Sequence, residues 1–236
     1  WAYSLCGGVV VGGLVQVGLV ARALYLQGWR PNFRWGPCLQ TQQFLHLLIP
    51  GLLGAAIAQI NIGVSRGLAF QIEGSAVALL YAASRLIELP LGVFTIAIAT
   101  VIFPKIARHA ARQEWQALGK TYHQGLEWVL MISIPAAAGL IALKQPILLL
   151  LFQWGAFGPQ QVQLIEPILC IMALAIPFHS LAILSTRGLH SLKNFKTPAR
   201  LAWQTFLLNV TLSLIGGWWL GTPGLALAST STAAYQ

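Results

Sequence analysis

Arg85 and Glu88 are the only charged side chains in the apolar run Gly74–Pro104, and their pairing at i,i+3 is where the chain carries its chemistry. An arginine near the centre of a membrane helix carries an insertion penalty of roughly 2.5–3.5 kcal/mol unless it faces a partner or a wet cavity. A guanidinium is planar, permanently charged and forked, which suits it to phosphate oxygens. The sharper reading is therefore an anionic, phosphate-bearing ligand in a central cavity. The alternative is a salt bridge within one helix, which lowers the cost of burial and binds nothing. At 100° per residue, Tyr81, Arg85, Glu88, Gly92, Thr95 and Ala99 fall within about 40° of one line, polar at one end and small at the other.

A milder stripe runs along the preceding apolar segment through Ala55, Gln59, Gly63 and Arg66, with Asn61 nearby. Two such faces can line one cavity, although for Ala55 and Gly63 close helix packing is the plainer explanation. His46 and His179 sit within apolar segments and read as packing residues before proton carriers. Glu127 and Glu166 fall near expected span ends, where solvation at the interface accounts for them. No catalytic constellation emerges: the chain has no Asp, its carboxylates are scattered, and no His–carboxylate pair has metal-ligand spacing. Neither enzyme, metal nor cofactor is expected. Cys6, Cys38 and Cys170 lack metal spacing and are expected to be small buried hydrophobes.

The elements that must hold these residues follow from composition. At 57% hydrophobic and 8% charged over 236 residues, with a mean hydropathy of +0.72, the chain is a polytopic membrane bundle; soluble domains carry about 25% charged residues. Runs of about 20 apolar residues predict spans over Trp1–Gln27, Gln42–Ser65, Ser75–Phe103, Gly125–Leu143, Gln161–Ser185 and Leu201–Leu220, with a seventh opening at Pro223. Internal Pro50, Pro90, Pro135 and Pro177 predict bent helices. The chain lacks an initiator Met and stops in an apolar stretch, so a longer parent protein is expected.

Lys and Arg gather on cytoplasmic connections. Here Arg22, Arg30 and Arg34 follow the first span, Lys105, Arg108, Arg112 and Lys120 the third, and Arg187, Lys193, Lys196 and Arg200 the fifth. The intervening connections hold only Arg66 and Lys144. The first span is thus expected to run from outside to inside. The formal charge of +9 is then a topology signal, and its dispersal over short loops without aromatic platforms argues against nucleic acid.

The segment Leu80-Tyr81-Ala82-Ala83-Ser84-Arg85-Leu86-Ile87-Glu88-Leu89-Pro90-Leu91-Gly92-Val93-Phe94, preceded by Gly74-Ser75 and followed by Phe103-Pro104, resembles the signature of the MurJ/MviN family of lipid II flippases. Three weaker matches are collinear with it. Gln59-Ile60-Asn61 resembles that family's seventh helix. Pro146-Ile147 with Leu151-Phe152-Gln153-Trp154-Gly155-Ala156-Phe157 resembles its "PI…LFQRGAF" segment, and Lys196-Thr197-Pro198 resembles the opening of its eleventh helix.

The resemblance implies an all-α, two-lobed transporter of the MOP superfamily, in which this chain covers about helix 6 to the start of helix 12. Residues 1–27 would be the last helix of the first lobe, 28–41 a cytoplasmic inter-lobe linker and 42–236 the second lobe. It implies alternating-access movement of lipid II, an undecaprenyl-diphosphate-linked peptidoglycan precursor, from the inner to the outer leaflet of the bacterial inner membrane, with membrane lipids as the other partners. Arg85 matches the family's cavity arginine, and Tyr81, Ser84, Glu88, Gln59 and Asn61 are expected beside the substrate. Two departures stand out. Ser84 replaces an Asp or Asn common before the arginine, and Ser65 and Ser213 replace acidic residues at a sodium site whose asparagine matches Asn209. Other readings are a MOP-type exporter of oligosaccharide lipids or drugs, a membrane-embedded polyprenyl-phosphate enzyme, or an inert scaffold in which Arg85 is dispensable.

Overall fold

A computed structural model describes residues 2–28, 39–152 and 158–236, all of them helical or in short connections. The chain divides into two compact units, residues 1–42 and 43–236. The first contains helix α1 (Ala2–Leu26), whose residues from Cys6 onward are exposed within it. Cys6 is exposed, not buried as expected. Cys170 is half-buried, and Cys38 lies outside the described residues.

The second unit is built from α2 (Leu39–Ile72), α3 (Ala76–Pro90), a π turn (Leu91–Thr95), α4 (Ile96–Ala111) and α5 (Trp115–Ala142). These are followed by α6 (Lys144–Phe152), α7 (Pro159–Ala173), α8 (Ile176–Ser191), α9 (Lys196–Leu220) and α10 (Thr222–Tyr235). Among the described residues, four helical stretches are long and apolar enough to cross a membrane: Cys6–Leu26, Gly51–Ile72, Ala76–Ala111 and Trp115–Ala142. The α7–α8 pair makes a fifth if its 44° bend is taken as a broken span. The expected spans Gln161–Ser185 and Gly125–Leu143 are corrected accordingly: the first is broken at Leu174–Ala175, and the second begins at Trp115. The expected 144–160 connection contains α6. Helix α9 has the length of a span, but Gln204, Thr205, Asn209 and Ser213 make it less apolar than those four.

Pro90 has no N–H for the Leu86 carbonyl, and just beyond it the helix widens until the Ile96 N–H donates to the Leu91 carbonyl five residues back. The extra residue turns the lower half of the helix relative to the upper half. The straight stripe expected from Tyr81 to Ala99 is thereby split. Thr95 (3% exposed) and Ala99 (0%) face the core, and Thr95 Oγ1 lies 2.8 Å from Ser180 Oγ of α8. Tyr81, Arg85 and Glu88 stay on the exposed side of the upper half.

Three apolar clusters hold the unit together, the smallest of them Ala69 of α2, Ala76 of α3 and Leu225 of α10; the other two are larger. In one, Leu79, Ala83, Leu86 and Ile87 of α3 pack on Leu148 of α6, on Ile165, Ile168 and Leu169 of α7, and on Ala226 of α10. In the other, Ala99, Ile102 and Ile106 of α4 meet Val129 of α5 and Leu184 of α8. Lipid is as apolar as these side chains, so their contribution is close packing more than burial from water.

The basic turns 112–114 and 192–195 lie at one end of the bundle; Tyr122 Oη and Ser185 Oγ, 2.8 Å apart, tie α5 to α8 near it. The turns at 73–75 and at Gly221 lie at the other, where Ser75 Oγ and Thr222 Oγ1 donate to the Glu73 carboxylate at 2.8 and 3.3 Å. Lys144 pairs with Glu166 at 2.9 Å, and that hydrogen bond raises the Lys144 ammonium above its ordinary pKa. Glu166 thus has a specific partner, not solvation alone.

Candidate functional site

The upper half of the α3 helix forms one wall of a cavity of about 300 Å³. Asn61, Ser65 and Arg66 line it from α2, Tyr81, Ser84 and Glu88 from α3, His179 from α8, Thr205 and Asn209 from α9, and Ser229 and Thr232 from α10. An adjoining cavity of about 220 Å³ shares Ser84, Glu88, His179 and Ser229. Polar groups from five helices thus converge inside an otherwise apolar bundle.

Arg85 does not itself line this space; it stands beside Tyr81 and Glu88, which do, and is held by its own helix. Its Nη1 donates to Glu88 Oε2 at 2.6 Å and its Nη2 to Tyr81 Oη at 2.7 Å, and its guanidinium carbon lies 4.7 Å from the Tyr81 ring centroid. Tyr81 at i−4 and Glu88 at i+3 flank Arg85 on the same helical face. The intrahelical pair foreseen as the plainer reading is therefore real. It does not bury the charge, because the Arg85 and Glu88 side chains remain 55% and 57% exposed. Two of the fork's five N–H groups bind Tyr81 and Glu88, and the arrangement fixes the rotamer of a cation that still faces open space.

The other expected site residues divide. Ser84 lines the cavity, but its hydroxyl donates to the Tyr81 carbonyl at 2.8 Å, so it is tied to its own helix. Asn61 lines the cavity as expected. Gln59 does not: two residues earlier is about 200° around the helix, which leaves it exposed on another side of α2. His46 lies where no side chains are described, as does the Gln153–Phe157 motif. Glu127 lies on α5, its carboxylate 3.3 Å from His123.

Sequence periodicity missed the polar seam between α2 and α9. The Asn209 Nδ2 donates to Asn61 Oδ1 at 2.7 Å and to Ser65 Oγ at 3.0 Å, and Ser213 Oγ donates to Asn209 Oδ1 at 3.3 Å. Asn209 and Ser213 are 3% and 2% exposed. The seam is neutral and internally paired at the positions where the resemblance places acidic residues. Thr205 Oγ1, one turn away, is buried without a hydrogen-bond partner among the described residues. Replacing Asn209 by Leu is expected to destabilise the α2–α9 contact by about 1 kcal/mol, read as a lower melting temperature of the detergent-solubilised full-length protein; unchanged melting would show that the seam carries no stability.

Comparison with known proteins places this geometry. The sequence profile of the family described as "Lipid II flippase MurJ" matches residues 1–236. A curated relative from Rhizobium meliloti, named "Probable lipid II flippase MurJ", is 33% identical over 228 residues, which is 96% of this chain and 42% of that protein. The chain thus spans less than half the length of this relative. Among solved structures, "Lipid II flippase MurJ, inward closed conformation" superposes with a TM-score of 0.73 at 28% identity, over 85% of this chain and 42% of that one. A Vibrio cholerae MATE transporter superposes with a TM-score of 0.77 at 17% identity, over 94% and 50% of the two chains, which shows a shared fold. With the family profile matched from end to end, this chain belongs to the lipid II flippase MurJ family.

Proposed function

We propose that the protein containing this chain moves lipid-linked peptidoglycan precursor across the bacterial inner membrane by alternating access, with Arg85 holding the precursor's diphosphate. The observation that carries this reading is a guanidinium half exposed yet fixed by Tyr81 and Glu88, two residues that line a polar cavity. With two of its five N–H groups engaged, the fork keeps donors free for phosphate oxygens. A diphosphate competes with Glu88 for the fork, while Tyr81 keeps the fork aimed. Asn61 and Ser84 form the polar wall behind it.

Residues 1–27 belong in this reading to the first lobe, 28–41 to the linker and 42–236 to the second lobe. The polyprenyl tail stays in lipid and no bond is made or broken. Transport requires that the inward-open and outward-open states solvate Arg85 differently, because a ligand shifts an equilibrium only by its differential affinity. The paired, neutral seam around Asn209 favours a drive other than sodium. The test is complementation: the full-length parent gene, expressed in a bacterium depleted of its own lipid II flippase, is expected to sustain growth. Lysis despite normal membrane abundance would point instead to another lipid-linked substrate.

A further inference from the structure

Arg85 has a cationic neighbour, Arg66, which the sequence places at the end of the stripe on the second span and also counts with the connection that follows. Helix α2 continues to Ile72, so Arg66 is a helical residue on the cavity wall. Its guanidinium carbon lies 6.0 Å from the Tyr81 ring centroid, against 4.7 Å for Arg85. Two cations from different helices therefore converge on one aromatic ring. Glu88, the cavity's carboxylate, is engaged by Arg85, and no carboxylate pairs with Arg66 among the described residues. Two guanidiniums facing one ring, one of them without a carboxylate, offer an anion donors from both sides of Tyr81.

The two arginines also differ in depth. Arg66 lies about 9 Å along the axis from the end of α2, and Arg85 about 14 Å from the start of α3, at 1.5 Å per residue. Both distances run from the same turn, Glu73–Ser75, at the end opposite the basic connections. Arg66 is thus about one helical turn nearer that mouth.

We propose that Arg66 is a second phosphate-binding residue: together with Arg85, and spaced from it by Tyr81, it takes the two phosphoryl groups of a diphosphate and selects diphosphate-linked over monophosphate-linked lipids. This rests on the diphosphate reading of Arg85 and adds a discriminating contact to it. A single fork satisfies one phosphoryl group; the second group makes charge-assisted bonds only where a second cation stands within reach. Placed nearer the mouth, Arg66 also gives the departing headgroup an intermediate station.

The experiment measures equilibrium binding of undecaprenyl diphosphate and undecaprenyl monophosphate to the detergent-solubilised full-length protein. Wild type is compared with Arg66→Gln, Arg66→Lys and Arg85→Gln. Wild type is expected to prefer the diphosphate by about tenfold or more, and Arg66→Gln to reduce that preference below about threefold with little change in monophosphate affinity. Arg66→Lys, which keeps the charge but not the fork, is expected to retain part of the preference. An Arg66→Gln protein that keeps the wild-type preference, or that loses affinity for both lipids equally, overturns the assignment of Arg66 while leaving that of Arg85 intact. A wild type without preference for the diphosphate overturns the diphosphate reading itself, and Arg66 with it.

Discussion

Arg85→Gln in the full-length protein is expected to lower lipid II translocation by about a hundredfold at equal membrane abundance. Glutamine keeps the length and polarity of the side chain but loses the charge and the planar fork, so a diphosphate is left with weaker neutral hydrogen bonds. Arg85→Lys, which restores charge without the fork, should fall between the two. A purely structural role makes a different forecast. If the Arg85–Glu88 pair served only to stabilise α3, replacing both residues with leucine would remove the charges together and leave function near wild type. The ligand reading expects that double variant to be well folded and inactive, because the two side chains are more than half exposed and the core contacts of α3 come from Leu79, Ala83, Leu86 and Ile87.

The second large effect concerns the crossing of α9 and α10. Gly221, at φ +65°, reverses the chain, and α10 folds back so closely that a β-carbon on Gly224 would overlap the carbonyl oxygen of Gly216. The reciprocal β-carbon, on Gly216, would stand 2.9 Å from the Gly224 carbonyl oxygen. Both obstacles are backbone atoms, which cannot rotate aside as a side chain can. Gly224→Ala is therefore expected to destabilise the second unit by about 3 kcal/mol, seen as a marked drop in melting temperature and in membrane abundance. Gly119 in α5 provides the control, since a β-carbon there meets nothing within 4 Å. Gly119→Ala should leave stability unchanged or raise it by up to about 1 kcal/mol. Equal melting of the two alanine variants would show that the helices can part without cost.

Much of the site was readable from residue types because membrane sequences are so constrained. Arg85 and Glu88 stand out against lipid-compatible neighbours, and one turn of helical arithmetic adds Tyr81. The same arithmetic failed beyond Pro90, where the π turn inserts a residue into the repeat and sends Thr95 and Ala99 into the core. It failed differently for Gln59, which was grouped with Arg66 although the cavity-facing side of α2 runs through Asn61, Ser65, Arg66 and Ala69. Hydropathy reports composition and not continuity, so it merged α7 with α8 across the bend at Leu174–Ala175. The Asn209 seam was invisible to periodicity because its partners lie on α2, far away in sequence, and only the family resemblance marked Asn209. Arg66 was legible on the stripe of the second span, although the apolar-run boundary at Ser65 also counted it with the following connection, and α2 in fact continues past it to Ile72.

The most direct measurement reconstitutes the full-length protein into proteoliposomes carrying fluorescent lipid II in the inner leaflet and follows its appearance outside, for wild type and Arg85→Gln side by side. Transfer by wild type and its near-absence in the variant is the predicted result. Equal transfer by both proteins would contradict it.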